Sequence, residues 1–159
     1  MESGTSDSLR LRAATPGDEP FLRAVYASTR AEELARVPWS DQQKRAFTDM
    51  QFAAQDTDYR RNYPAAQYSI IEWQGIPVGR LYVDRCEKEI RIIDIALLPE
   101  HRRAGIGTKL LRELQEEART SGRALTIHVE KFNPARSLYH RLGFQQIEDK
   151  GVYLFLEWK

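Results

Sequence analysis

Apolar and charged residues alternate at Leu9-Arg10-Leu11-Arg12, the period of a strand with one buried face. Thr15 then precedes Pro16, with Asp18 and Glu19 close behind. That is a cap, a first-turn proline and acids at the positive end of a helix dipole, and it predicts a helix to about Glu33. Ser40-Asp41 opens a second, less regular helical stretch carrying Phe47, Met50 and Phe52 towards Tyr59, and Pro64 ends it. From Gln67 the period returns to two. Residues 68–73 and 76–83 flank Gln74-Gly75, a two-residue hairpin turn, and 89–98 is a third β run dense in isoleucine. After Pro99, the residues Ile106, Leu110, Leu111 and Leu114 recur at three-and-four spacing, with Gly122 where that helix ends. Residues 124–129 read as a strand, and Asn133-Pro134 caps a short helix stopping at Gly143. A closing hairpin of 144–147 and 152–158 turns about Gly151. The order β-α-α-β-β-β-α-β-α-β-β predicts an α/β sheet with helices on both faces.

Composition narrows the class. The chain has 159 residues, 42% hydrophobic and 30% charged, which suits one domain and excludes disorder along its whole length. No apolar run approaches the roughly 18 residues of a membrane span, so no membrane partner is expected. The start, MESGTSDS, is small and polar and reads as a flexible terminus, not a secretory leader, leaving the domain at 9–159 and the cytoplasm as expected location. Cys86, the sole cysteine, cannot form an internal disulfide and is expected as a buried or half-buried strand residue without nucleophilic activation. No Cys/His cluster has zinc spacing, so no metal is expected. Lys plus Arg number 24 against 23 Asp plus Glu, too even a balance to call for nucleic acid.

The segment from Ile95 to Lys109 carries the first chemical signal. An apolar strand leads through Pro99-Glu100-His101-Arg102-Arg103-Ala104 into Gly105-Ile106-Gly107-Thr108 and an amphipathic helix. First-turn amides lack internal partners, the dipole adds positive charge, and glycine lets a phosphate reach the backbone. His101, Arg102 and Arg103 form a local basic patch, with Arg102 and Arg103 adding cationic reach to an anion cradle fit for a pyrophosphate. Two other phosphate motifs fail: Gly107-Thr108-Lys109 has the wrong order for a Walker loop, and Leu110 stands where a dinucleotide fingerprint needs glycine. Taken alone, the glycines fit a plain helix start as well as an anion cradle.

A second segment, from Leu125 to Phe144, resolves this. Arg102-x-x-Gly105-x-Gly107 together with Asn133-x-Ala135-x-x-x-Tyr139-x-x-x-Gly143-Phe144 resembles the coenzyme motifs of the GNAT superfamily of acyl-CoA-dependent N-acetyltransferases, in order and on the expected elements. The resemblance spans 9–159. It implies a mixed, mostly antiparallel sheet of about seven strands flanked by about four helices, and acetyl transfer from acetyl-CoA to a primary amine of a small molecule or protein in a ternary complex. It implies that backbone amides of Arg103, Ala104, Gly105, Ile106, Gly107 and Thr108 bind the coenzyme pyrophosphate. Leu97 and Leu98 would pair with the pantetheine arm as an added strand, and amides near Leu98 would serve the oxyanion. Asn133 and Arg136 would touch the coenzyme from the opposite wall.

Tyr139 would stand by the thioester sulfur, as stabiliser of the leaving thiolate or, in the stronger form, as general acid; the other reading is an aromatic packed on the sheet. His128 occupies a family base position, and an imidazole can accept a proton at neutral pH, yet a hydrogen-bonded sheet histidine fits equally well. Asp94 is the second candidate base, Glu72 the third, and ordered water the remaining option. Trp39, Tyr59 and Tyr63 fall in the segment that walls the acceptor in this superfamily, or they are core. The rival reading is an acyl-CoA-binding or protein-interaction domain without catalysis, and a further one transfers a longer acyl group. Leu154, Phe155 and Trp158 could support a homodimer through the last strand.

Overall fold

The structure is a computed structural model that describes residues 8–159. The expected flexible terminus therefore lies, apart from Ser8, outside the described residues. Seven strands form one sheet: β1 (Leu9–Ala13), β2 (Gln67–Trp73), β3 (Ile76–Arg85), β4 (Glu89–Leu97), β5 (Ala124–Glu130), β6 (Gln145–Asp149) and β7 (Tyr153–Trp158). Their order is β1-β2-β3-β4-β5-β7-β6, and every pairing is antiparallel except β4 with β5. The helices are α1 (Glu19–Leu34), α2 (Asp41–Asn62), α3 (Ile106–Ser121) and α4 (Arg136–Arg141).

Local chemistry accounts for the ends of these elements. The Asp18 carboxylate accepts the Thr15 amide at 2.8 Å just before α1. At α2 the cap is reciprocal: Gln43 N–H donates to Ser40 Oγ at 3.1 Å and the Gln43 side chain accepts from Ser40 N–H at 2.9 Å. That helix runs past Tyr59 to Asn62, since nothing before Pro64 opposes it. Gln74 and Gly75 both have positive φ, 53° and 79°, the geometry that a two-residue hairpin requires.

The two sheet faces follow from side-chain alternation. One presents Ile71, Leu81, Val83, Ile90, Ile92, Leu125, Ile127, Val129, Leu154 and Leu156 to α3 and α4, where Leu110, Leu111, Leu114 and Tyr139 complete the main core. The other presents Ile70, with Arg80 and Tyr82, to α1 and α2 through Leu22, Tyr26 and Phe52. Gln115 of α3 donates to the Leu142 carbonyl at 2.8 Å and so pins the end of α4.

Two expectations change. Cys86 is exposed in the turn after β3, because that strand ends at Arg85 and the chain reverses with Cys86 N–H on Glu89 O at 3.0 Å. The last strand in the chain is not the last in the sheet: β7 lies between β5 and β6, with Leu154 buried and Leu154 and Trp158 both packed with the main core. The apolar residues offered for pairing between chains are used inside this one, and the free edges are β1 and β6.

Candidate active site

The site begins with a failure of strand pairing. β4 and β5 pair only from Glu89 with Ala124 to Ile92 with Ile127. Opposite β3, the register shifts between Tyr82 and Val83, whose partners are Asp94 and Ile92, so Ile93 is an extra residue in β4. Beyond this bulge β4 and β5 separate into a slot. Leu98 N–H donates to Val78 O at 2.9 Å on the β3 side, and alternation turns the backbone groups of Ile95 and Leu97 towards the slot. Gly79 makes the close approach to β3 feasible, since a Cβ there would lie 2.2 Å from the Ala96 carbonyl oxygen.

At the mouth of the slot the chain enters α3. Arg103 and Gly105 have φ of 64° and 83°, and the first helical amide with an acceptor is that of Lys109, on Gly105 O at 3.0 Å. Among the described residues the amides of Arg103 through Thr108 have no backbone or side-chain acceptor. A Cβ on Gly105 would meet nothing within 4 Å, so protein atoms leave open the space before those amides. Six free donors around open space at a helix N-terminus fit a bound pyrophosphate.

Side chains expected on the coenzyme are arranged differently from the sequence reading. Arg102 turns to the strand end, donating from Nε to the Leu97 carbonyl at 2.9 Å, because that carbonyl faces the slot without a strand partner. Leu98 is committed on both sides: its amide goes to Val78, and its carbonyl accepts His101 N–H at 2.9 Å. It therefore offers neither arm pairing nor an oxyanion donor, and the slot-facing groups belong to Ile95 and Leu97. Asn133 Oδ1 accepts the Ala135 amide at 2.8 Å, and Arg136 donates to the Lys131 carbonyl at 2.6 Å. Both line a shallow cavity of about 430 Å³ with Lys131, Phe132, Ser137 and His140.

Tyr139 stands on the α3 face of the sheet, 3% exposed, its ring edge-on to Phe144 with centroids 5.6 Å apart. Burial first, and the charge of Asp94 second, push its phenol well above the usual tyrosine range. The group is neutral and a donor at any working pH, while proton release from it is harder than from an ordinary phenol.

On the other face the slot is bordered by Asp94 and His128. Asp94 Oδ2 accepts from Arg80 at 2.6 Å and from the Tyr59 hydroxyl at 3.0 Å, and Arg80 also donates to Gln55 Oε1 at 2.9 Å. Arg80 is 2% exposed, and among the described residues its Nε, like the Tyr82 hydroxyl, has no hydrogen-bond partner. Sequence reasoning missed Arg80. A lone arginine in an apolar β run was its only signal, since its partner Asp94 lies diagonally across, opposite Tyr82. Asp94 Oδ2 is thus already engaged by Arg80 and Tyr59.

His128 is the first β5 residue beyond the β4 pairing. Its ring stacks on Phe155 with centroids 4.7 Å apart, and Nε2 lies 3.2 Å from Lys150 Nζ. Burial, then the positive charges of Arg91 and Lys150, lower its pKa below 6.5, so the ring is neutral near pH 7. Glu72 is held by Arg12 at 2.7 Å. Tyr59 serves Asp94, Tyr63 accepts from Arg91 at 3.3 Å, and Trp39 is a partly exposed ring edge-on to Phe47. Among the described residues no three His, Cys, Asp or Glu side chains gather to hold a metal ion, and no helix is long and apolar enough to cross a membrane.

A slot between parting parallel strands with a donor-rich helix start at its mouth is the frame of an acyl-CoA-dependent transferase. Residues 28–144 match the acetyltransferase (GNAT) family, and the chain belongs to that family of acyl-transferring enzymes. It is similar to the uncharacterised N-acetyltransferase CgeE of Bacillus subtilis, 28% identical over 100 residues that cover 56% of this chain and 39% of that protein's length. Among solved structures it resembles the PaiA N-acetyltransferase of Thermoplasma acidophilum in complex with coenzyme A, with a TM-score of 0.69 and 17% identity over 96% of this chain and 99% of that one. It also resembles a GNAT family acetyltransferase of Elizabethkingia anophelis with acetyl-CoA bound, with a TM-score of 0.60 and 15% identity over 96% and 99% of the two chains.

Proposed function

We propose that this protein transfers an acetyl group from acetyl-CoA to a primary amine of a small molecule or peptide, by direct attack within a ternary complex in the cytoplasm. The observation that carries the reading is the slot itself. His128 is the first β5 residue past the point where β4 and β5 part, and among the described residues the amides of Arg103 to Thr108 at its mouth have no acceptor. On this reading the buried Tyr139 faces the slot from the α3 side of the sheet.

The roles follow from the chemistry of each group. Amides of Arg103 to Thr108 hold the pyrophosphate, and the backbone of Ile95 and Leu97 hydrogen-bonds the arm after Arg102 leaves the Leu97 carbonyl. Acetyl-CoA supplies the activated acyl carbon. Tyr139, kept neutral by burial, donates a hydrogen bond to the sulfur as thiolate forms. His128, kept neutral by burial and neighbouring cations, takes the amine proton.

Thiol release from acetyl-CoA across a panel of amines tests the reading. Release that depends on the amine and falls by about 10–100-fold in Tyr139→Phe supports it. Tight coenzyme binding with no turnover on any amine would sink it in favour of a binding domain.

A further inference from the structure

The chain has six lysines, and one of them sits on the candidate base. Lys150 lies between β6 and β7, and its ammonium stands 3.2 Å from His128 Nε2 and over the Phe155 ring at 5.2 Å. Two other lysine ammonium groups face carboxylates: Lys131 meets Asp149 at 2.9 Å and Lys159 meets Glu157 at 3.8 Å. The other charges felt by the imidazole are Arg91 and Glu89 of β4 and Glu148 of β6. A neutral imidazole facing an ammonium accepts from it, so the Nε2 lone pair points at Nζ. His128 borders the slot, and this places an alkyl ammonium on the base just as an acceptor amine would have to lie.

We propose that Lys150 is itself an acceptor: the protein acetylates Lys150 Nζ in cis, with His128 as base. The inference rests on the transferase reading above. One proton passes from Nζ to Nε2, and the neutral amine attacks the thioester carbonyl carbon. The N–C bond forms, the C–S bond breaks, and coenzyme A leaves as the thiolate. The second proton lost by the nitrogen goes to the thiolate, and His128 returns its proton to water. The product amide is uncharged and holds the imidazole less strongly than the ammonium did. Self-acetylation therefore opens Nε2 to external amines.

The test is incubation of the full chain with acetyl-CoA and no added amine, followed by intact mass and peptide mapping over time. The expected result is one acetyl group per chain, at Lys150, with a first-order rate unchanged by tenfold dilution of the protein. That rate should fall by roughly 10²–10⁴-fold in His128→Gln, the usual worth of a positioned base. It should fall by about 10–100-fold in Tyr139→Phe, and Lys150→Arg should remain unmodified. Acetyl groups spread at one common rate over Lys44, Lys88, Lys109, Lys131, Lys150 and Lys159 would overturn the proposal. So would equal acetylation of Lys150 in a urea-unfolded chain, or a rate proportional to protein concentration. Thiol release on the amine panel separates the two readings: release with amines but no acetyl-Lys150 removes this inference alone, and neither signal removes both.

Discussion

The Tyr139 phenol is buried, and its pKa is raised first by burial and then by the charge of Asp94; in the proposed reaction it donates to the coenzyme sulfur. A hydrogen bond from it to sulfur strengthens only as negative charge develops, so its loss belongs to kcat. Tyr139→Phe should lower kcat by about 10–100-fold, the worth of one hydrogen bond to a charged group, with the acetyl-CoA dissociation constant nearly unchanged. Steady-state kinetics beside calorimetry decides this, and weakened binding with normal turnover would reduce the tyrosine to a packing role. His128 makes a prediction in pH. Its pKa is lowered by burial, Arg91 and Lys150, so the base form persists to more acid pH than for a free imidazole. The step in kcat/KM that it causes should lie below pH 6.5 and rise with pH, separate from a second rise at the amine's own pKa. Amines of different pKa should move the upper step only, and His128→Gln should erase the lower one.

At the scale of elements, the turn into α3 decides coenzyme binding. Gly105 has φ of 83°, and no protein atom lies within 4 Å of where a Cβ would stand, so two separate constraints act there: backbone conformation and empty space. Gly105→Val meets both, and should add roughly 1–3 kcal/mol of backbone strain besides filling the pyrophosphate seat. Gly105→Asn meets only the second, since asparagine tolerates the left-handed region. Calorimetry should show acetyl-CoA binding lost in both variants, while thermal unfolding falls mainly in the valine variant. Normal affinity in a folded Gly105→Asn protein would remove the seat from this position.

At the scale of the molecule, Arg80 and Asp94 join β3 and β4 to α2 through Tyr59 and Gln55. The arginine is 2% exposed, so leaving either partner alone strands a buried charge. Arg80→Met should cost about 3–5 kcal/mol in denaturant unfolding, and Arg80→Met with Asp94→Leu should recover much of that loss. Additive losses would show the two side chains to be energetically independent. Beyond that pair, the slot exists only because the whole sheet holds β4 and β5 together over Glu89–Ile92 and lets them part at Ile93.

Local periodicity and punctuation determined the elements. Ile106, Leu110, Leu111 and Leu114 mark α3, Gln74-Gly75 marks the β2–β3 turn, and the paired glycine and Asn-to-Phe motifs mark the helix starts. These signals are local because caps, turns and amphipathic stripes are set by residues within a few positions of one another. The strand order was not local. Nothing near Leu154 or Trp158 shows that β6 takes the edge and leaves β7 inside the sheet, and nothing near Cys86 shows that β3 stops one residue before it. The identity of each site residue was partly legible, but its partner was not. Arg102 turns to Leu97, Leu98 spends both backbone groups, Asp94 finds Arg80, and His128 finds Lys150. Each of these outcomes depends on which unsatisfied donor or acceptor the packed chain brings within about 3 Å, and only the tertiary structure decides that.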